Sequence, residues 1–119
     1  MRMLTKKQIY DKVAKHLLSQ RARSMTGGRC VYRNPQGLKC AIGCLIPDSD
    51  YTKDIEGGLV DFAVFDNDFA LLQILYQNGV DVSDIKVLAL LGSLLNIHDQ
   101  MEIDEWALEL KEIKKEISR

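Results

Sequence analysis

Residues Val87 to Leu95 form the longest apolar run of the chain, interrupted only by Gly92 and Ser93. As a helix it is rich in Leu and apolar almost all round, the pattern of a central core helix. The run is too short to span a bilayer and follows Asp84 and Lys86. A helix over about 84–97, capped by Ser83, is therefore expected at the centre of the core. With 119 residues, 46% apolar and 28% charged, the chain has an ordinary globular composition, and one domain over 1–119 is expected.

The elements that would wrap this helix can be read from their ends. Thr5 is a good N-cap, and Gln8 stands at the capping-box spacing, with Leu4 and Ile9 at the staple positions. Ile9, Val13 and Leu17 then recur every four residues, which predicts a helix from Thr5 to about Arg21 or Arg23, ended by Thr26-Gly27-Gly28. Cys30 to Arg33 is β-prone, Asn34-Pro35-Gln36-Gly37 suits a type I turn, and Leu38 to Cys40 can return. That predicts a β-hairpin between the first and second helices. Cys40 to Ile46 reads as a short buried helix ending before Pro47, and 48–61 as an acidic loop. A second helix is expected over about 66–77, capped by Asp66 or Asn67 and stopped by Asn78-Gly79. A fourth, over about 103–117, carries Trp106, Leu110, Ile113 and Ile117 on one face, with basic residues in its last turn. The expected fold is α+β and predominantly helical: four helices and one hairpin, with Ile9, Val13, Leu17, Leu75, Trp106 and Leu110 packed on the helix at 84–97.

Charge is divided along the chain. Residues 1–47 carry ten Lys/Arg against the single acid Asp11, whereas residues 48–119 carry six against sixteen acids. Either the two halves neutralise each other or the basic one offers an anion-binding face. Arg21, Arg23, Arg29, Arg33 and Lys39 flank a glycine pair, with Tyr32 among them. Guanidinium forks suit phosphate, and an aromatic ring stacks on a base. No Walker, dinucleotide or RNA-binding signature accompanies them. Duplex DNA binding usually brings net positive charge, and the net charge here is −1.

Other chemistry is less well supported. Cys30, Cys40 and Cys44 lack the spacing of a zinc module, even with His16 or His98 as a fourth ligand, and read as free packing thiols. Cys30, between Arg29 and Arg33, with His98-Asp99 as a base and its orienter, is the nearest approach to a nucleophile. Asp48, Asp50, Thr52, Asp54 and Glu56 alternate as in a calcium loop, but Lys53 and Leu59 stand where such a loop needs Gly and Glu. No catalytic signature is present. The early residues have charges but no apolar segment of a signal peptide, so a cytoplasmic protein is expected.

The stretch from Cys30 to Asp48, Cys-Val-Tyr-Arg-Asn-Pro-Gln-Gly-Leu-Lys-Cys-Ala-Ile-Gly-Cys-Leu-Ile-Pro-Asp, resembles a family of short, uncharacterised proteins of bacteriophages, prophages and bacterial genomes. His16-Leu17-Leu18 in the first helix and Ile97-His98-Asp99 before the last match further features of that family. The resemblance carries no catalytic residue. It implies a small accessory protein of host cytoplasm that acts by binding, either sequestering a phosphate-bearing nucleotide signal or blocking a host defence component.

The expected function is accordingly non-enzymatic binding, with Arg21, Arg23, Arg29, Arg33 and Lys39 supplying charge and Tyr32 stacking. No metal and no cofactor is expected. The partner is a host protein or an anionic small ligand, not nucleic acid or a membrane, and a homo-oligomer is compatible with this. The alternative is a protein-interaction module using the acidic C-terminal half, through Glu102, Glu105, Glu109 and Glu112. A cysteine-dependent enzyme ranks below both.

Overall fold

The computed structural model describes residues 3–52 and 69–117. Four helices dominate it: α1 (Lys6–Gln20), α2 (Phe69–Gln77), α3 (Ile85–Gln100) and α4 (Trp106–Ile117). The α1 N-terminus has the capping box its sequence spells out. Thr5 Oγ1 accepts from the Gln8 N–H at 3.1 Å, and Gln8 Oε1 accepts from the Thr5 N–H at 2.8 Å, so two otherwise orphaned donors are paired. The other end closes on Arg21, whose φ of 48° puts a non-glycine residue in the left-handed region.

Ile9, Val13 and Leu17 of α1 are fully buried, as are Leu91 and Leu94 of α3 and Trp106 of α4, with Leu110 almost so. Helices α1, α3 and α4 pack on one another. The Tyr10 hydroxyl adds a buried hydrogen bond to the Leu110 carbonyl at 2.8 Å, and burial first, then Asp11, raises its pKa. Leu71 and Leu75 bring α2 into the same core. Gly79, at φ 89°, ends that helix as the sequence indicates, and its carbonyl accepts from the Leu4 N–H at 2.7 Å.

Several expectations need correction. The cap of α3 is Asp84, whose carboxylate accepts from the Lys86 N–H at 2.9 Å. Ser83 instead bonds to Asp81. The segment 40–46 contributes only a 3₁₀ turn, Gly43–Leu45, and another, Ile103–Glu105, leads into α4. The expected caps Asp66 and Asn67, Gly57-Gly58 and the residues Lys53, Asp54, Glu56 and Leu59 lie outside the described residues.

The hairpin expected over 30–40 does not form as a pair of strands. Its turn is present: the Gly37 N–H donates to the Asn34 carbonyl at 3.0 Å, and Asn34 Oδ1 accepts from the N–H groups of Gln36 and Leu38. Beyond the turn, pairing is reduced to one bridge, Arg33 with Lys39. The next rung of the ladder would use the Cys40 carbonyl, which instead accepts the Cys44 N–H at 3.1 Å as the chain turns into the 3₁₀ segment. The outward-facing peptide groups of Lys39 are taken by side chains of α1. Gln20 Oε1 accepts the Lys39 N–H at 2.9 Å, and Gln20 Nε2 and His16 Nε2 donate to the Lys39 carbonyl at 2.8 and 2.9 Å. The regular antiparallel pairing lies earlier: Met25–Thr26 (β1) with Arg29–Cys30 (β2). Gly27 and Gly28 connect them with φ of 60° and 79°, the positive values that a two-residue I′ hairpin turn demands.

Candidate functional site

The Arg33–Lys39 bridge determines where two of the cations go. The Cys40 N–H donates to the Tyr32 carbonyl and the Asn34 N–H to the Leu38 carbonyl, which makes Arg33 and Lys39 a non-hydrogen-bonded antiparallel pair. Directly opposed residues of this kind project their side chains close together on one face. Two like charges there repel each other, and an anion relieves the conflict. Asp48 supplies it: its Oδ1 lies 2.7 Å from Arg33 Nη1 and 3.6 Å from Lys39 Nζ. Hydrogen bonding and charge from Arg33, followed by the charge of Lys39, hold the Asp48 pKa below the usual carboxylate value.

Arg33 is also anchored independently of Asp48. Its Nη2 donates to the Ile46 carbonyl at 2.5 Å, and its guanidinium carbon sits 4.7 Å from the centre of the Tyr51 ring, a cation–π arrangement. Asp48 follows Pro47 in a turn closed by the Asp50 N–H on the Pro47 carbonyl, and Asp50 is tied to the end of α2 through Asn78 Nδ2 at 2.9 Å. Arg33, Asn34, Pro35, Gly37, Lys39, Asp48 and Tyr51 line a cleft of ≈ 540 Å³.

The other residues expected at this site are elsewhere. Arg21 is an exposed C-cap of α1. Arg23 reaches the end of α3, where Nε donates to the His98 carbonyl at 3.0 Å and Nη2 to that of Met101, a favourable place for a cation opposite the helix dipole. Tyr32 is 1% exposed and belongs to the core, so it cannot stack on a ligand. The aromatic ring beside the cations is Tyr51, which sequence reasoning assigned to the acidic loop. The Arg29 and Cys30 side chains lie outside the described part of the structure.

The basic half of the chain thus meets the acidic half at Asp48, and the proposed base and orienter, His98 and Asp99, are employed structurally. His98 is fully buried. Its Nδ1 lies 2.5 Å from Asp99 Oδ1, and its Nε2 accepts from the Ser24 N–H at 3.0 Å. A backbone N–H can only donate, so Nε2 is bare and the proton sits on Nδ1. The ring stacks on Trp106 at 5.8 Å between centres, and Trp106 Nε1 donates to the Met101 carbonyl that Arg23 also binds.

Cys40 and Cys44 are free thiols. Burial raises both pKa values, that of Cys44 to about 12 and that of Cys40 further still, so neither supplies a thiolate at neutral pH. His16 is half-buried and donates from Nε2, and burial is the main cause of its lowered pKa. Among the described residues no group of His, Cys, Asp and Glu is arranged to hold a metal ion, and no helix is long and apolar enough to cross a membrane.

No family model, curated protein or solved structure matches the chain in comparisons with known proteins.

Proposed function

We propose that this protein is a small phage-type accessory protein that acts by binding, and that it recognises a phosphate-bearing ligand of nucleotide type through Arg33 and Lys39. The observation that carries the reading is the direct opposition of these two cations in a non-hydrogen-bonded pair, converging on a single oxygen at a cleft. A guanidinium fork and an ammonium side by side match the several oxygens of a phosphate group. Tyr51 takes the aromatic place that Tyr32 leaves empty.

Native mass spectrometry of protein purified without denaturation tests this. The reading expects a mass excess of a phosphate compound, absent from the Arg33→Ala and Lys39→Gln variants. A phosphate adduct retained in both folded variants would contradict it.

One observation favours a second reading, a contact with a host protein through α4. Leu108 is 62% exposed and lies within a helical turn of Glu105 and Glu112, both exposed. An isolated exposed leucine is ordinary, so this reading stands behind the first. It expects a salt-sensitive complex lost on Leu108→Glu, with no effect from Arg33→Ala.

A further inference from the structure

We infer that Asp48 is an internal, displaceable occupant of the Arg33–Lys39 site, standing where one oxygen of an incoming phosphate group binds. The inference rests on the anion-binding reading above and adds how that site is kept when empty of ligand.

The two sides of the ion pair are held very differently. The Arg33 side chain is 14% exposed and that of Lys39 33%, against 85% for Asp48. Arg33 is fixed by the Ile46 carbonyl and the Tyr51 ring, neither of which depends on the carboxylate. Lys39 is fixed through its backbone, whose N–H and carbonyl are bound by Gln20 and His16. The Arg33 guanidinium therefore keeps its geometry when Asp48 leaves, and the Lys39 side chain stays rooted beside it. A preorganised site loses little conformational freedom on binding its ligand.

Asp48 is restrained mainly by the cations themselves. Its surface position lets water solvate the carboxylate as soon as it swings away, and exposed ion pairs of this kind are weak. Both cations also crowd onto the same carboxylate oxygen, Oδ1, at 2.7 and 3.6 Å. A phosphate monoester offers three oxygens and more charge, so the fork and the ammonium can each take their own. The internal carboxylate meanwhile suppresses the repulsion between Arg33 and Lys39 and sets a threshold that a weaker monoanion does not overcome. The ligand class that fits is a terminal phosphate group, either free as inorganic phosphate or as the monoester at the end of a nucleotide.

The test is a titration of the full-length chain with inorganic phosphate and, separately, with adenosine 5′-monophosphate, followed by amide NMR shifts. Asp48→Asn keeps the shape of the side chain and removes its charge. The inference expects Asp48→Asn to bind the phosphate group about three- to tenfold more tightly than the parent protein, since the competitor and its repulsion are both gone. Lys39→Gln, which leaves the Arg33 anchors in place, should weaken binding in either background. Tighter binding of the nucleotide than of phosphate identifies the nucleotide as the source, and equal affinity identifies the free anion. Unchanged or weaker binding in Asp48→Asn, alongside parental binding that requires Lys39, overturns the displacement and leaves the anion site standing. No Lys39-dependent binding in either protein overturns both.

Discussion

The Ser24 N–H donates to Nε2 of His98 across 3.0 Å, in a part of the molecule where both residues are fully buried. This one bond ties the chain after α1 to the last turn of α3. It also commits the imidazole to the Nδ1–H form, with the proton facing Asp99. Replacing His98 with Ala strands a buried N–H and opens a cavity beside Trp106. The expected loss is about 3 kcal/mol of stability, measured by urea denaturation. A loss below about 1 kcal/mol would show that the Ser24 amide finds another partner.

Gly43 faces an equally strict demand. A Cβ at this position would lie 2.0 Å from the Tyr32 carbonyl oxygen, and that oxygen is already accepting the Cys40 N–H. Gly43→Ala must push the 3₁₀ turn away from the Arg33–Lys39 bridge. A destabilisation of more than about 2 kcal/mol is expected from the overpacking, with the Arg33 site disturbed as well. Denaturant midpoints check the first and amide shifts of residues 33–39 the second.

Arg21 gives the opposite sign. Its φ of 48° is costly for any residue with a Cβ, and its side chain is exposed. Arg21→Gly should stabilise the fold by about 0.5–1 kcal/mol. The same variant should bind phosphate as the parent does, because Arg21 is not among the residues lining the cleft.

Much of this architecture is legible in the sequence because local signals and burial agree. Thr5 and Gln8 write the start of α1, Gly79 writes the end of α2, and the leucines of α3 announce a helix that packs in the core, although Ala89, Ser93, Asn96 and Gln100 leave it one exposed stripe. The misses come from competition for hydrogen-bonding groups, in which the partner that wins is not ranked by the local sequence signal. Nothing in residues 30–40 says that the Cys40 carbonyl will go to the Cys44 N–H, and so the hairpin shrinks to a bridge. Nothing near Arg23 says that the carbonyls of His98 and Met101 will absorb its guanidinium. Asp84 displaces Ser83 as a cap because Ser83 is held by Asp81. The cleft was half legible. Arg33 and Lys39 stand out by charge, but Tyr51 and Asp48 reach them only through the turn after Pro47. The glycine pair, read as a helix breaker, carried an overlooked signal for an I′ hairpin turn.

Acidification should weaken the fold through His16. Its pKa in the folded protein lies below the ordinary 6.5, mainly through burial, so the unfolded chain binds the proton more readily. The contribution of the neutral ring is complete above about pH 6.5 and is lost as pH falls through the lowered folded value. Urea midpoints measured from pH 7.5 to 5 should therefore decline. His16→Gln keeps a donor for the Lys39 carbonyl and should show a shallower decline over the same range.

The thiols supply an independent check on burial. Cys40 and Cys44 should resist iodoacetamide at pH 8 in the folded protein and react fully in denaturant, because their thiolates are suppressed by burial. Rapid labelling of either in the native state, read by peptide mass spectrometry, would contradict the packing described for residues 40–45.

The central claim is that Arg33 and Lys39 form an anion site, and amide NMR of the full chain during addition of adenosine 5′-monophosphate tests it most directly. The account predicts saturable shifts concentrated at residues 33–39 and 48–51, abolished by Arg33→Ala and weakened by added salt. Shifts centred instead on Arg21 and Arg23, or shifts at 33–39 that survive Arg33→Ala in a folded protein, would contradict it.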